Sequence, residues 1–168
     1  RAIVPEGIPG VRNENVLTAH DVLGGRQALK NANVIILGGG SIGCEVADLL
    51  AADNRVTVVE MLGDLAMETE RLSRAELLKR LDDRHVAILR EARLEAIAPD
   101  RVTVRKDDKV RELPADHVIL AVGAVPVVPE WMERLRGEGV ECYVIGDALM
   151  PGRLIDAVSQ GTAIGRLI

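Results

Sequence analysis

Phenylalanine is missing from this chain, and Trp131 and Tyr143 are the only aromatic residues among its 168. With 48% of residues hydrophobic, a core has to be filled by Val, Ile, Leu and Ala. The lack of aromatic faces for stacking, together with a net charge of −5, argues against a nucleic-acid-binding surface. No apolar run approaches the ~20 residues that cross a bilayer, and no secretory signal pattern is present. The expectation is a cytoplasmic protein with neither nucleic acid nor membrane as partner. Cysteine is nearly absent too. Cys44 and Cys142 form no C-x-x-C, so the spacing offers no metal site and no local redox pair. His20 has no other His, Cys or carboxylate cluster around it and reads as a solvated turn residue. No metal ligand and no catalytic acid or base is assigned.

What is present in strength is Asn33 to Glu60, NVIILGGGSIGCEVADLLAADNRVTVVE. It reads as strand, glycine turn, helix, strand. Gly38, Gly40 and Gly43 fit G-x-G-x-x-G, a spacing with a physical task at each position. The first glycine permits the tight turn out of the strand. The second, having no side chain, lets a pyrophosphate reach the backbone, and the third lets helix and strand pack closely. The helix start offers N–H groups and partial positive charge to phosphates. Ile42, Val46, Leu49 and Leu50 are expected on one apolar helical face. Glu60, twenty positions after Gly40, is suited to accept hydrogen bonds from adenosine ribose hydroxyls. The pattern points to a dinucleotide. A glycine turn that merely packs tightly, or an adenosine ligand such as S-adenosylmethionine, uses similar features. Cys44, at the helix start, is either a thiol with a lowered pKa or a small buried residue.

The opening, 1–25, carries Pro5, Gly7, Pro9 and Gly10 and is expected to be mostly loop lying against something else. Thr18 is placed to cap a short helix stopped by Gly24 and Gly25. Beyond Glu60, residues 70–84 form an amphipathic helix with Leu77, Leu78 and Leu81 on one side and a Glu76–Arg80 pair. Residues 85–89 and 117–122 are apolar strands. Apolar strands alternating with helices predict a parallel sheet covered on both faces. Between them, 92–98, 101–105 and 110–113 alternate apolar with polar, as in a small antiparallel meander. Near the C-terminus, 143–145 is expected to be a strand, 131–136 a short helix and 153–168 a longer one. Gly161 and Gly165 lie four apart on that last helix. The fold class is thus α/β, a Rossmann-like parallel sheet with a small antiparallel β-meander.

The stretch GGGSIGCEVADLLA…VTVVEML resembles the NAD(P)H-binding domain of two-dinucleotide flavoproteins. Ala121-Val122-Gly123-Ala124-Val125-Pro126 is similar to the A-x-G-x-x-P segment after that domain's last strand. Val144-Ile145-Gly146-Asp147 is similar to the segment whose aspartate contacts FAD, and Pro151 to Ala157 with Gly161 to the helix that follows. The opening, GIPGVRNENVLTAHDVL, resembles the linker from the first FAD segment. Within that superfamily the likeness extends to the C-terminal region of multidomain NADH:flavin oxidoreductases, such as 2,4-dienoyl-CoA reductase, trimethylamine dehydrogenase and the enoate reductases.

This resemblance implies three parts. Residues 1–29 are a linker from a missing FAD-binding half, 30–124 an NAD(H)-binding domain, and 125–168 edge pieces of an incomplete FAD-binding domain. It implies a nucleotide-binding fragment of a flavin-dependent oxidoreductase that docks NAD(H) for transfer to a flavin, inactive alone. FAD, FMN and a 4Fe–4S cluster are expected only in a full-length parent, on parts with no counterpart here. A non-catalytic ADP-binding or structural module is the alternative. Gly38, Gly40, Ser41, Ile42 and Gly43 are assigned to the pyrophosphate turn. Glu45 matches a position near the nicotinamide end, or is a plain polar helix residue. Glu60 favours NAD(H) over NADP(H), unless Arg71 and Arg74 offset its charge. Gly123 lets nicotinamide or ribose pass close to the backbone, or serves as a turn. Asp147 contacts FAD in the parent, or caps the loop before the last helix. The partners are the dinucleotide and the missing barrel and FAD half, whose absence would leave a face prone to homo-oligomer formation.

Overall fold

The computed structural model describes residues 1–25 and 27–167. The elements in chain order are β1 (Val16–Thr18), α1 (Ala19–Leu23), β2 (Asn33–Leu37), α2 (Ser41–Leu50), β3 (Arg55–Val59), α3 (Arg71–Asp83) and β4 (Ala87–Leu89). They continue with β5 (Arg93–Ile97), β6 (Arg101–Lys106), β7 (Lys109–Pro114), β8 (His117–Leu120), α4 (Trp131–Gly137) and α5 (Leu154–Ile164). A 3-10 turn at Gly146–Ala148 precedes α5. The chain divides into two compact units: Ala2–Val122, and Gly123 onward together with Arg1.

The first unit is built on a five-stranded parallel sheet in the order β1-β8-β2-β3-β4, with a three-stranded antiparallel sheet β5-β6-β7 beside it. The Rossmann-like fold read from the strand and helix pattern is therefore present, with its meander. Alternation along the strands sorts residues to two faces. Val34, Ile36, Val58 and Ile119 join Cys44, Val46, Ala47, Leu50, Leu77 and Leu81 in a helix-side core. Ile35, Val59, Val118 and Leu120 instead pack with Leu94, Ile97, Val102 and Val104 of the small sheet. Burial on both faces is why the parallel strands are continuously apolar. The small sheet alternates because its other face is solvated; β7 is exposed along most of its length.

Several local expectations differ from the structure. The opening segment is not only loop: Val16–Thr18 pairs in parallel with Val118–Leu120 and adds the fifth strand. Thr18 does cap α1, in a capping box with Asp21. The preceding loop is held against the small sheet, where Ile97 N–H donates to Pro9 O at 2.9 Å and the Asn15 amide to Ala98 O at 3.0 Å. On α2, Val46 and Leu50 are buried with Gly43, Cys44 and Ala47, whereas Ile42 and Leu49 are exposed. The helix lies flat on the sheet through its small residues, which turns Ile42 and Leu49 outward. Lastly, residues 143–145 form no strand. Among the described residues no strand lies alongside to take up its backbone groups, and an unpaired strand has no ladder.

In the second unit, α5 stops at Ile164, short of the expected 153–168, with Gly165 as its C-cap rather than on the helix and Ile168 outside the described residues. The helix buries none of its residues. It is tied to the 3-10 turn through Gly146 N–H, which donates to Gln160 Oε1 at 2.6 Å. A Cβ on Gly161 would meet Ile145 at 3.7 Å, an ordinary contact. No helix among the described residues is long and apolar enough to cross a membrane.

Candidate functional site

The order β1-β8-β2-β3-β4 reverses direction at β2: the chain runs outward through β3 and β4, then returns to β8 on the other side. Such a reversal opens a crevice at the carboxyl ends of the two strands, where ligands bind in open α/β sheets. Gly38, Gly39 and Gly40 follow β2 at that point, and Ala121 follows β8. They touch: a Cβ on Gly38, whose φ is +105°, would lie 2.5 Å from Ala121 O. A Cβ on Gly43 would lie 2.0 Å from Gly38 O. These two glycines are required by packing, whatever binds.

Gly40 is different. Its backbone is extended, with φ −66° and ψ −178°, which any residue adopts. A Cβ there would meet only the Glu68 carboxylate, at 2.9 Å from Oε1. Nothing in the backbone forbids a side chain at Gly40, and the one group beside it is the movable end of the Glu68 side chain. Ser41, Ile42 and Gly43 open α2 just beyond it, and their N–H groups have no intrahelical acceptor by helix geometry.

Glu60 stands at the end of β3 and is 8% exposed. Among the described residues it is the one charged side chain in the buried class. Backbone donors hold it: Gly39 N–H donates to Oε2 at 2.6 Å and Leu62 N–H to Oε1 at 2.7 Å. Each carboxylate oxygen can accept again, so two acceptors are fixed beside the glycine turn. Cys44 lies beneath that turn, fully buried, with its thiol donating to Gly39 O at 3.4 Å. Burial first, then the negative charges of Glu68 and Glu60, push the thiol pKa up to about 11. The lowering that a helix start can cause is overridden, and Cys44 is the small buried residue.

Arg74 is committed elsewhere. Its Nε donates to Leu65 O at 2.7 Å, and its guanidinium pairs with Asp64 at 2.5 Å. Glu45 is exposed on α2, one residue beyond Cys44. Gly38, Gly40, Ser41, Ile42, Gly43, Glu45 and Glu60 thus share the first unit, around one turn and the helix it opens. Gly123, with φ +103°, and Asp147 belong to the second unit. Asp147 Oδ1 accepts Gly152 N–H at 3.2 Å, closing the loop before α5.

Sequence reasoning did not single out Glu68 and Thr69. The Ser41 N–H donates to Glu68 Oε1, and the hydroxyls of Ser41 and Thr69 are 2.8 Å apart. Partial burial acts to raise the Glu68 pKa, but the hydrogen bonds from Ser41 and from its own backbone outweigh it, and the net direction is downward. The carboxylate is charged at neutral pH. Nothing local marks these residues; the contact spans 27 positions. A separate open cleft of about 480 Å³ is lined by Met61, Glu91, Ala92, Arg105, Lys106 and Asp108, among others, and includes none of the turn glycines.

The profile of the pyridine nucleotide-disulphide oxidoreductases matches residues 1–158. The chain belongs to that family. It is 38% identical over 159 residues to an NADH oxidase of Thermoanaerobacter brockii, covering 92% of this chain and 24% of that protein. The 6-hydroxypseudooxynicotine amine oxidase of Pseudomonas geniculata N1 superposes with a TM-score of 0.83 at 29% identity, over 94% of this chain and 25% of that one. A 2-naphthoyl-CoA reductase, in complex with 2-naphthoyl-CoA, shares the fold with a TM-score of 0.88 at 22% identity, over 98% and 25%. This member of the pyridine nucleotide-disulphide oxidoreductases therefore spans about a quarter of the length of these relatives.

Proposed function

We propose that the chain docks NAD(H) within a larger flavin-dependent oxidoreductase, with its nicotinamide directed to a flavin held elsewhere in that protein. The observation that carries this reading is Gly40. It is the one glycine of the G-x-G-x-x-G whose missing side chain packing does not explain, and it sits at the switch point beside the N–H groups that open α2. Gly38, Gly40, Ser41, Ile42 and Gly43 would hold the pyrophosphate against the helix start. Glu60 would take the adenosine ribose, each oxygen already oriented by one backbone donor. A 2′-phosphate would meet that buried charge; Arg74 is already engaged by Leu65 O and Asp64, which leaves the exposed Arg71 as the remaining one of the two arginines that could offset it. NAD(H) is therefore the expected cofactor over NADP(H). Glu45 and Gly123 are assigned to the nicotinamide side. Asp147 is assigned to FAD in the complete protein, alongside its present role in the loop.

Family membership and the NADH oxidase relative support the flavin partner. The branch we assign is the multidomain NADH:flavin oxidoreductases. On this reading 1–29 and 125–168 border an FAD-binding half, and an FMN barrel with a 4Fe–4S cluster completes the path. When bound, NADH supplies a hydride to the flavin. This chain contributes position and charge, and no residue in it needs to move a proton.

Calorimetric titration with NADH, NADPH and ADP tests the reading. NADH is expected to bind more tightly than either. Glu60→Gln should narrow the NADH-over-NADPH preference by about tenfold, a difference of ~1.4 kcal/mol. NADPH binding best would overturn the role of Glu60. Equal binding of NADH and ADP would favour a non-catalytic adenosine site.

A further inference from the structure

Residues 61–69, between β3 and α3, form a strap over the glycine turn. Ala66 N–H donates to Gly39 O at 2.8 Å, and Thr69 N–H turns back to Ala66 O at 3.0 Å. Leu65 is fully buried and fills the space above Gly39, where a Cβ would come within 2.1 Å of its Cδ2. Arg74 fastens the strap from α3 through Leu65 O and Asp64. These anchors deliver two polar groups to the start of α2. The Thr69 hydroxyl reaches that of Ser41, and the Glu68 carboxylate accepts the Ser41 N–H. The carboxylate stands where Gly40 lacks a side chain.

A carboxylate oxygen on the first N–H of a helix is chemically what a phosphate oxygen would be there: an anionic acceptor favoured by the helix start. Two anions cannot share that donor at close range. We propose that Glu68 is a built-in competitor for the phosphate position of the glycine turn, so that a dinucleotide binds only as the Glu68 side chain swings out. The inference rests on the dinucleotide reading above and adds to it a residue that sets affinity without touching the bound ligand. The side chain is free to do this. Glu68 is exposed, and it hangs from a strap whose fixed points are Leu65, Ala66 and Thr69. The strap itself need not move. Glu68 also satisfies the first N–H of the helix.

The test compares ADP with adenosine on the wild-type chain and on Glu68→Ala, by calorimetry. Removing the competitor should tighten ADP binding by about tenfold, the scale of one charge-assisted contact at a helix start. Adenosine, which lacks phosphate, should bind both proteins equally. Glu68→Gln keeps an acceptor without the charge and should fall between them. Thermal unfolding of the ligand-free chains gives the complementary readout. Glu68→Ala should melt slightly lower, having lost a cap, even as it binds ADP more tightly. If both variants melt cooperatively and bind ADP no better than wild type, the competitor role is wrong while the dinucleotide site stands. If Glu68→Ala tightens adenosine as much as ADP, the effect is not at the phosphate position and the inference fails. If neither the wild type nor any variant binds ADP, the dinucleotide reading fails, and this one with it.

Discussion

Replacing Gly43 and Gly40 by alanine, one at a time, separates packing from ligand access within a single motif. A Cβ on Gly43 would lie 2.0 Å from Gly38 O and 3.3 Å from Ala121 Cβ. The first neighbour is backbone at the end of β2, so helix and strand must move apart by more than ~1 Å to restore normal contact. Overpacking of this kind costs about 1–3 kcal/mol, and a backbone clash belongs at the upper end. The better helix propensity of alanine returns about 1 kcal/mol, leaving a net loss of about 2 kcal/mol. At Gly40 the backbone suits alanine, and the only atoms within 4 Å of the new Cβ belong to the flexible Glu68 carboxylate. Gly40→Ala should therefore cost under about 1 kcal/mol, mostly through disturbing that carboxylate. Its methyl group nevertheless fills the space where pyrophosphate would approach, which outweighs any gain from displacing the Glu68 carboxylate, and ADP affinity should fall by about tenfold, or ~1.4 kcal/mol. Urea unfolding followed by circular dichroism gives the stabilities; calorimetric titration with ADP gives the affinities. A stability loss at Gly40→Ala equal to that at Gly43→Ala would refute the packing distinction between the two glycines. Wild-type ADP affinity in Gly40→Ala would refute the pyrophosphate role of Gly40.

Two further outcomes follow from the charges and thiols. The Cys44 pKa rises from 9.0 to about 11, which near neutral pH leaves about 100-fold less thiolate than an unshifted thiol. Cys44 is also fully buried whereas Cys142 is partly exposed, so a thiol reagent at pH 7.5 should label Cys142 quickly and Cys44 only on unfolding; two equally fast thiols would contradict the packing beneath the turn. Asp116 accepts hydrogen bonds from the Asn33 N–H at 2.7 Å and the Asn33 amide at 2.9 Å, which lower its pKa below the ordinary 3.8. A carboxylate whose folded pKa is depressed contributes stability above its unfolded pKa and loses it as pH falls through the folded value. The wild type should thus exceed Asp116→Asn in stability at pH 6, with the gap closing below about pH 4. A gap that stays constant down to pH 2 would show that the charge of Asp116 is not what holds the start of β2.

Local signals carried most of the fold. The apolar runs at Val34–Ile36, Val56–Val59 and Val118–Leu120, the helix between Gly40 and Ala51, and the glycine spacing are each written within a few residues, because periodicity and turn chemistry act at that range. They were enough to read a parallel Rossmann-like sheet, its meander, the glycine turn and Glu60. Tertiary structure decided what depends on partners distant in sequence. Val16–Thr18 becomes a strand because β8, about 100 positions later, offers an open edge. Residues 143–145, with an equally strand-like composition, do not, because among the described residues no strand lies alongside to receive their backbone groups. Ile42 and Leu49 face outward because the small residues of α2 set which side lies flat on the sheet. The spacing already assigns different tasks to the three glycines; the folded chain adds the contacts, which leave Gly40 open and require Gly38 and Gly43 to lack a side chain. Only the folded chain brings Glu68 to the Ser41 N–H. Hydrophobic periodicity records which face of an element is buried, whereas a carboxylate meeting a helix start across a strap depends on where three elements come to rest.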